Sequence, residues 1–130
     1  MKVSVVIPAY NAERTIGEAV VHSLSQTRGS LQVEVIVLDD GSTDDTASIA
    51  EAAGATVIRQ QNARPAASRN RGWESATGTF ICFTDSDCIP IARWLENLLD
   101  GFSDSHIGAL AGSYEIANPS SWLARGVQQE

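Results

Sequence analysis

Residues 33–42 read VEVIVLDDGS, an apolar run that ends in two carboxylates, a glycine and a serine. A run that is apolar at nearly every position suits a strand buried on both faces, as in a parallel sheet. Ser42 and Asp45 have the spacing of a capping box, so a helix is expected to start directly after the run. A strand followed at once by a helix is typical of an α/β fold.

The rest of the chain repeats this strand-and-helix pattern. Apolar runs predict strands at residues 3–7, 33–38, 56–58, 80–83 and 107–114, and helical spacing predicts helices at about 12–27, 42–53, 65–77, 90–102 and from 120 onward. The alternation predicts a three-layer α/β/α sandwich around a mostly parallel, Rossmann-like sheet. Ligands of such sheets bind outside the carboxyl ends of the strands.

Composition restricts the class of protein. The chain has 130 residues, the usual size of one domain, and 43% of them are hydrophobic, so residues 1–130 are expected to form a single folded domain. The formal net charge is −7, which would repel nucleic acid. The last seven residues carry no terminating signal, and we expect the chain to be truncated at its C-terminus.

The cysteines and the apolar segments indicate the cellular compartment in which the protein is expected to lie. Cys82 and Cys88 fit neither a disulfide framework nor a zinc pattern, which indicates free thiols in a reducing compartment. No N-terminal run resembles a secretion signal, and no stretch has the length of a membrane span. A cytoplasmic location is expected, which includes a peripheral position at the inner face of the membrane.

Asp85-Ser86-Asp87 follows the fourth predicted strand and is the sharpest candidate for chemistry. Alternate residues of an extended segment point the same way, so both carboxylates can face one ligand. Oxygen ligands of this kind suit Mg²⁺ or Mn²⁺. The structural alternative is a turn in which Asp85 caps the next helix. A helix-loop-helix calcium site is excluded because Pro90 stands where that loop needs glycine.

Three further groups lie at or near predicted strand ends, and each has a structural alternative. Asp39 and Asp40 could accept hydrogen bonds from a nucleobase or a ribose, or could simply support the turn before a helix. Tyr10 could stack on a base, or could pack at the rim of the core. Arg69 could reach a diphosphate, or could lie on a solvated helix face.

Taken in order, these segments resemble a known family. They read VSVVIPAYN at residues 3–11, VIVLDDGSTDDT at 35–46, SRNRG at 68–72 and FTDSD at 83–87. Together they resemble the family 2 glycosyltransferases with the GT-A fold, over about residues 3–102. The resemblance implies a UDP-, GDP- or dTDP-sugar donor, a Mn²⁺ or Mg²⁺ ion and transfer with inversion at the anomeric carbon.

The resemblance also assigns roles by position. Pro8, Ala9 and Tyr10 would line the base pocket, and Asp40, with Asp39 beside it, would contact the base or ribose. Arg69 would approach the diphosphate. Asp85-Ser86-Asp87 would complete the donor site, with Asp85 holding ribose or metal-bound water and Asp87 ligating the metal.

The chain departs from the family pattern at two points. Arg64 stands where the family often has glycine, two residues after Asn62. No segment matches the family's general base; beyond residue 104 the acidic residues are Glu115 and Glu130. The catalytic base therefore stays unassigned, and the chain is expected to be the donor-binding half of an enzyme whose acceptor-binding half it lacks.

Several functions stay open from the sequence. The first is a metal-dependent glycosyltransferase with an unknown acceptor, saccharide, lipid-linked or other; the alternative is a non-catalytic sugar-nucleotide-binding module or an inactive fragment. A nucleotidyltransferase is weaker because residues 8–12 form no glycine-rich basic loop. A phosphatase is weaker still because no partner lysine stands out. An incomplete fold would expose apolar surface, so homo-oligomers are also expected.

Overall fold

The computed structural model describes residues 1–61 and 65–115 of the chain. The strands are β1 (Lys2–Ala9), β2 (Gln32–Asp40), β3 (Thr56–Gln60) and β4 (Phe80–Phe83). The helices are α1 (Ile16–Leu24), α2 (Thr46–Ala52), α3 (Pro65–Ser75) and α4 (Trp94–Asp100). The described residues up to Leu95 form one compact unit, and the described residues from Glu96 onward belong to a second one.

The four strands form one parallel sheet in the order β3-β2-β1-β4. β1 lies in the middle, and its residues 3–7 are all buried, as predicted for a strand covered on both faces. In β2, the buried residues run from Val35 to Asp39. The apolar side chains of these two strands form the centre of the core.

Helices cover both faces of the sheet. The chain passes from β1 through α1 to β2 and through α2 to β3, and then returns through α3 to β4 beside β1. Because crossovers between parallel strands are right-handed, the reversal puts α3 on the face opposite α1 and α2. At Gly72 the backbone of α3 lies so close to Val6 and Leu38 that a Cβ would overlap both side chains. The predicted three-layer α/β/α sandwich is confirmed.

A hydrogen-bond network joins three segments near the amino ends of the strands. The Glu34 carboxylate pairs with the Lys2 ammonium at 2.6 Å and accepts hydrogen bonds from the Ser4 hydroxyl and from the Thr77 N–H. The Ser4 hydroxyl also accepts a hydrogen bond from the Gly78 N–H at 2.8 Å. This network, which we call the Glu34 network, connects β1, β2 and the turn before β4.

The predicted start of α2 is wrong. Ser42 does not cap a helix; α2 begins at Thr46, and the Thr46 N–H donates to Asp44 Oδ1 at 3.0 Å. The Ser42 hydroxyl instead accepts the N–H of Asn11. A contact with a residue 31 positions away outweighs the local capping pattern.

Two other predicted helices begin later than expected. The sequence prediction started the first helix at residue 12, but α1 starts at Ile16, after a turn in which the Thr15 N–H donates to the Ala12 carbonyl. The helix after Asp85-Ser86-Asp87 was expected to start at Pro90, but α4 starts at Trp94. Arg93, directly before it, has a φ of 62°, which interrupts a right-handed helix.

The predicted fifth strand is also wrong. Residues 107–114 are described and contain no strand, and all of them except the half-buried Ile107 are exposed. Gly108 and Gly112 lower the strand preference of this segment, and an exposed strand has little packing to stabilise it. The helix predicted from residue 120 lies outside the described residues.

The predictions about cysteine and membrane segments can be compared with the structure. Cys82 and Cys88 are free thiols, as predicted. Burial raises the pKa of Cys82 to about 11, so its thiol stays protonated at neutral pH. Among the helices that the structure describes, each is too short or too polar to cross a bilayer.

Candidate functional site

The predicted site segments meet at one edge of the sheet. β2, β1 and β4 are parallel neighbours, so Asp39-Asp40, Pro8-Ala9-Tyr10 and Asp85-Ser86-Asp87 all lie at the carboxyl edge. Ala9 is buried and Pro8 half-buried, whereas the Tyr10 side chain is 59% exposed. An exposed aromatic ring at this edge is available to stack on a planar ligand.

The two carboxylates after β4 are held together by a turn. The buried Thr84 continues the pairing with β1 through its N–H, which donates to the Val6 carbonyl at 3.2 Å. The Cys88 N–H then donates to the Asp85 carbonyl at 3.1 Å and closes the turn. Carboxylate oxygens of Asp85 and Asp87 and the Cys88 sulfur lie within 4.8 Å of one another. Ser86, between them, is half-buried.

The chemistry of this turn fits a hard divalent cation. Two exposed carboxylates within ligand reach of each other are the usual protein contribution to a Mg²⁺ or Mn²⁺ site that phosphate oxygens complete. The Cys88 sulfur is a soft ligand and a poor match for such ions. Asp85 and Asp87 are therefore the residues that would hold the ion.

Cys88 was missed as a neighbour of the carboxylates. Disulfide and zinc patterns do not require a cysteine beside an aspartate, so no sequence pattern indicates this contact. Burial, together with the charges of Asp87 and Asp85, raises the pKa of the Cys88 thiol. The thiol contacts Asp87 Oδ1, at 3.8 Å from its sulfur, as a weak hydrogen-bond donor.

Asp39 and Asp40 are not equivalent. The Asp39 side chain is 4% exposed, and its Oδ1 accepts the Ser42 N–H at 3.1 Å across a turn in which Gly41 has a φ of 78°. Asp40 is half-buried and points to the opposite face of the sheet, because successive side chains of a strand alternate. Asp39 thus shapes the loop, and the assignment of base contacts to either residue stays a prediction.

The loops after β1 and β2 are connected by reciprocal hydrogen bonds, which the sequence did not reveal. The Asn11 N–H donates to Ser42 Oγ at 2.9 Å, and the Thr43 N–H donates to Asn11 Oδ1 at 2.8 Å. The Ala12 N–H donates to Thr46 Oγ1 at 2.8 Å. These contacts tie the segment that carries Tyr10 to the segment that follows Asp40.

An open cleft of about 430 Å³ lies at the carboxyl ends of β2 and β3. Its lining includes Asp39, Asp44, Arg59 and Gln60, and among the predicted donor-binding residues only Asp39 contributes to it. The Arg59 guanidinium lies 3.4 Å from a Glu51 carboxylate oxygen, and both side chains are exposed. This cleft is polar and lies next to the predicted base site.

Three further residues singled out in the sequence are Arg69, Arg64 and Glu115. Arg69 lies in α3 and is exposed, but its approach to a diphosphate stays a prediction. Arg64, which departs from the family pattern, lies outside the described residues. Glu115 is exposed in a segment without regular structure, and the general base stays unassigned.

Known glycosyltransferases are similar to this chain in sequence and in fold. The UDP-Glc:alpha-D-GlcNAc-diphosphoundecaprenol beta-1,3-glucosyltransferase WfgD of Escherichia coli is 36% identical over 129 residues, which cover 96% of this chain and 50% of that protein. The mannosyltransferase PcManGT of Pyrobaculum calidifontis, solved with GDP-Man and Mn²⁺, superposes with a TM-score of 0.79 at 27% identity, over 87% of this chain and 35% of that one.

A second solved structure is glucosyl-3-phosphoglycerate synthase of Mycobacterium tuberculosis with Mg²⁺ and UDP. It has a TM-score of 0.63 and 33% identity, over 78% of this chain and 38% of that one. The chain thus spans half or less of the length of each of these proteins. The structural neighbours confirm the predicted α/β fold of the GT-A type.

The family itself follows from the extent of the match. The sequence model of Glycosyl transferase family 2 matches residues 4–129, which is nearly the whole chain and includes every segment gathered at the carboxyl edge of the sheet. The chain therefore belongs to glycosyl transferase family 2.

Proposed function

We propose that this chain binds the nucleoside diphosphate of a sugar donor at the carboxyl edge of its sheet, as part of an inverting, metal-dependent glycosyltransferase. The observation that carries the proposal is the pair of exposed carboxylates, Asp85 and Asp87, at the end of β4 beside the Tyr10 end of β1. A cation site and a stacking surface at one edge match the two ends of a nucleoside diphosphate.

The relatives support the donor class. One similar enzyme is named for UDP-Glc, one neighbour was solved with GDP-Man and Mn²⁺, and another with UDP and Mg²⁺. These names describe those proteins. For this chain they favour a uracil or guanine nucleotide and either ion, with the sugar and the acceptor unassigned.

Each of the donor-site residues is proposed to contact a different part of the donor. Tyr10 stacks on the base, Asp40 accepts its N–H or a ribose hydroxyl, and Pro8 and Ala9 form the wall of the pocket. Asp87 and Asp85 hold the cation, with Ser86 between them, and Arg69 faces the diphosphate. The ion, when bound, neutralises charge that develops on the departing diphosphate. Inversion requires the acceptor hydroxyl to attack from the opposite side, assisted by a carboxylate base.

The metal site can be tested by the electron paramagnetic resonance signal of free Mn²⁺. We expect the protein and UDP together to remove more free Mn²⁺ than the sum of what each removes alone. Asp87→Asn should abolish this excess because it deletes the charge of a ligand. Asp100→Asn removes an exposed carboxylate in α4 and serves as the matched control.

Two outcomes of that experiment count against the proposal. An excess that persists in Asp87→Asn would place the ion elsewhere. An excess absent with both UDP and GDP, in a protein shown to be folded by circular dichroism, would contradict donor binding by this chain.

A further inference from the structure

We propose that Asn11 is a positioning residue that fastens the loop carrying Tyr10 to the loop following Asp40, so that the base site is formed before the donor arrives. This inference rests on the proposed function, which supplies the nucleotide donor as the ligand. The fastening contacts, which we call the loop staple, involve Asn11, Ala12, Ser42, Thr43 and Thr46. They link two segments that are about thirty residues apart in the sequence and follow neighbouring strands.

Asn11 contributes to the staple in both directions. Its N–H donates to Ser42 Oγ at 2.9 Å, and its side-chain Oδ1 accepts the Thr43 N–H at 2.8 Å and the Thr43 hydroxyl at 3.3 Å. Each loop therefore satisfies a backbone N–H of the other. Mutual satisfaction of this kind fixes the relative position of two segments more firmly than a single contact does.

The Ala12 contact is the innermost part of the staple, and two contacts of Glu13 lie beside it. The Ala12 N–H donates to the hydroxyl of the fully buried Thr46 at 2.8 Å. The Glu13 N–H donates to Asp44 Oδ2 at 3.3 Å, and the Asp45 N–H donates to Glu13 Oε2 at 3.3 Å. The staple is thus anchored at the first residue of α2, on the core side.

The geometry at residue 11 explains why asparagine suits it. Asn11 has a φ of 46°, in the left-handed region that asparagine, aspartate and glycine tolerate best. Glycine would adopt this backbone but lacks the acceptor oxygen. Alanine would lose the oxygen and add backbone strain. Aspartate can supply both the conformation and an acceptor.

The positions of Tyr10 and Asp40 connect the staple to donor binding. Tyr10 directly precedes Asn11, and Asp40 is separated from Ser42 by Gly41 alone. A base that stacks on Tyr10 and bonds to Asp40 needs both loops in fixed relative positions. Without the staple, the two loops would become ordered only when the nucleotide binds. The loss of conformational entropy would then reduce the affinity for nucleotide.

Hydrogen exchange on the unliganded protein tests the staple independently of any nucleotide. In Asn11→Gly, we expect faster exchange at the Thr43 N–H, which loses its acceptor, and also at the Ala12 N–H, whose acceptor Thr46 Oγ1 is untouched. Amides within β1, such as that of Val6, should be unchanged. Unchanged exchange at Ala12 would contradict the coupling of the two loops.

Calorimetry with UDP and GDP in the presence of Mn²⁺ tests the positioning role. Asn11→Gly should weaken the tighter of the two nucleotides about tenfold, and Asn11→Asp should restore the affinity to within about threefold of the wild type. Ser25→Ala removes a comparable hydrogen bond at the end of α1 and should leave the affinity unchanged. All measurements are made where circular dichroism shows every variant to be folded.

The two experiments separate the two claims. Faster exchange with unchanged affinity would leave the staple in place and overturn the positioning role. A wild-type chain that binds neither nucleotide would overturn the proposed function, and the positioning role with it, while hydrogen exchange would still decide the staple itself.

Discussion

At the scale of single residues, the adjacent carboxylates of Asp39 and Asp40 illustrate how one strand end serves two purposes. Asp39 is buried and its Oδ1 accepts the Ser42 N–H, whereas Asp40 is half-buried on the other face of the sheet. The sequence pattern could not separate them, because both precede the same Gly41 turn. The alternation of the strand separates them in the structure.

This difference predicts opposite effects of two substitutions. Asp39→Ala should lower the free energy of unfolding by about 1–2 kcal/mol, because the partly buried N–H of Ser42 loses its partner. Asp40→Ala should weaken nucleotide binding at least tenfold, because a hydrogen bond to a charged group contributes about 1.5–3 kcal/mol. Urea unfolding and calorimetric titration of both variants would check the pair. Equal losses of affinity in the two variants would contradict the division of roles.

At the scale of elements, the sequence predicted strands more reliably than helix starts. The fourth strand was predicted at residues 80–83 and β4 occupies Phe80–Phe83, because a short apolar run is a local signal. The start of α2 was missed because the Ser42 hydroxyl is occupied by Asn11, 31 residues earlier. A contact of that range leaves no trace in a local pattern.

The Glu34 network also depends on contacts between residues far apart in the sequence, which a local pattern does not reveal. It leads to a prediction about the pH dependence of stability. Burial tends to raise the pKa of Glu34, but the hydrogen bonds and the ion pair with Lys2, Ser4 and Thr77 outweigh it and lower the pKa from 4.5 to about 2. A carboxyl group whose pKa is lower in the folded state stabilises the fold above its unfolded pKa. That stabilisation is lost as the pH falls from about 4.5 toward 2.

Glu34→Gln should therefore remove about 1–2 kcal/mol of stability at pH 7, a value reduced from the full pKa shift because the site is partly solvated. The variant should lose less additional stability than the wild type between pH 5 and pH 3. Urea unfolding followed by circular dichroism at both pH values would measure this. Parallel pH profiles for the two proteins would show that Glu34 is not the responsible group.

At the scale of the whole molecule, the sequence predicted the order of the motifs and their common edge, because parallel α/β sheets impose that edge. It did not predict how the loops at that edge are joined. The strand expected at residues 107–114 is absent from the structure. These residues are mostly exposed, so little packing would stabilise a strand there. The single-domain organisation predicted for residues 1–130 stays a prediction, and the described residues divide into two units, one up to Leu95 and one from Glu96 onward.

The most direct test of the central claim is a calorimetric titration of the wild-type chain with UDP, GDP and dTDP, with Mn²⁺ and again with EDTA. We predict saturable binding of at least one nucleotide that requires Mn²⁺, since the proposed base-binding residues and the carboxylate pair Asp85 and Asp87 lie at one edge of the sheet. Equal binding of the nucleotide in EDTA, or no binding of any of the three by the folded chain, would contradict the account.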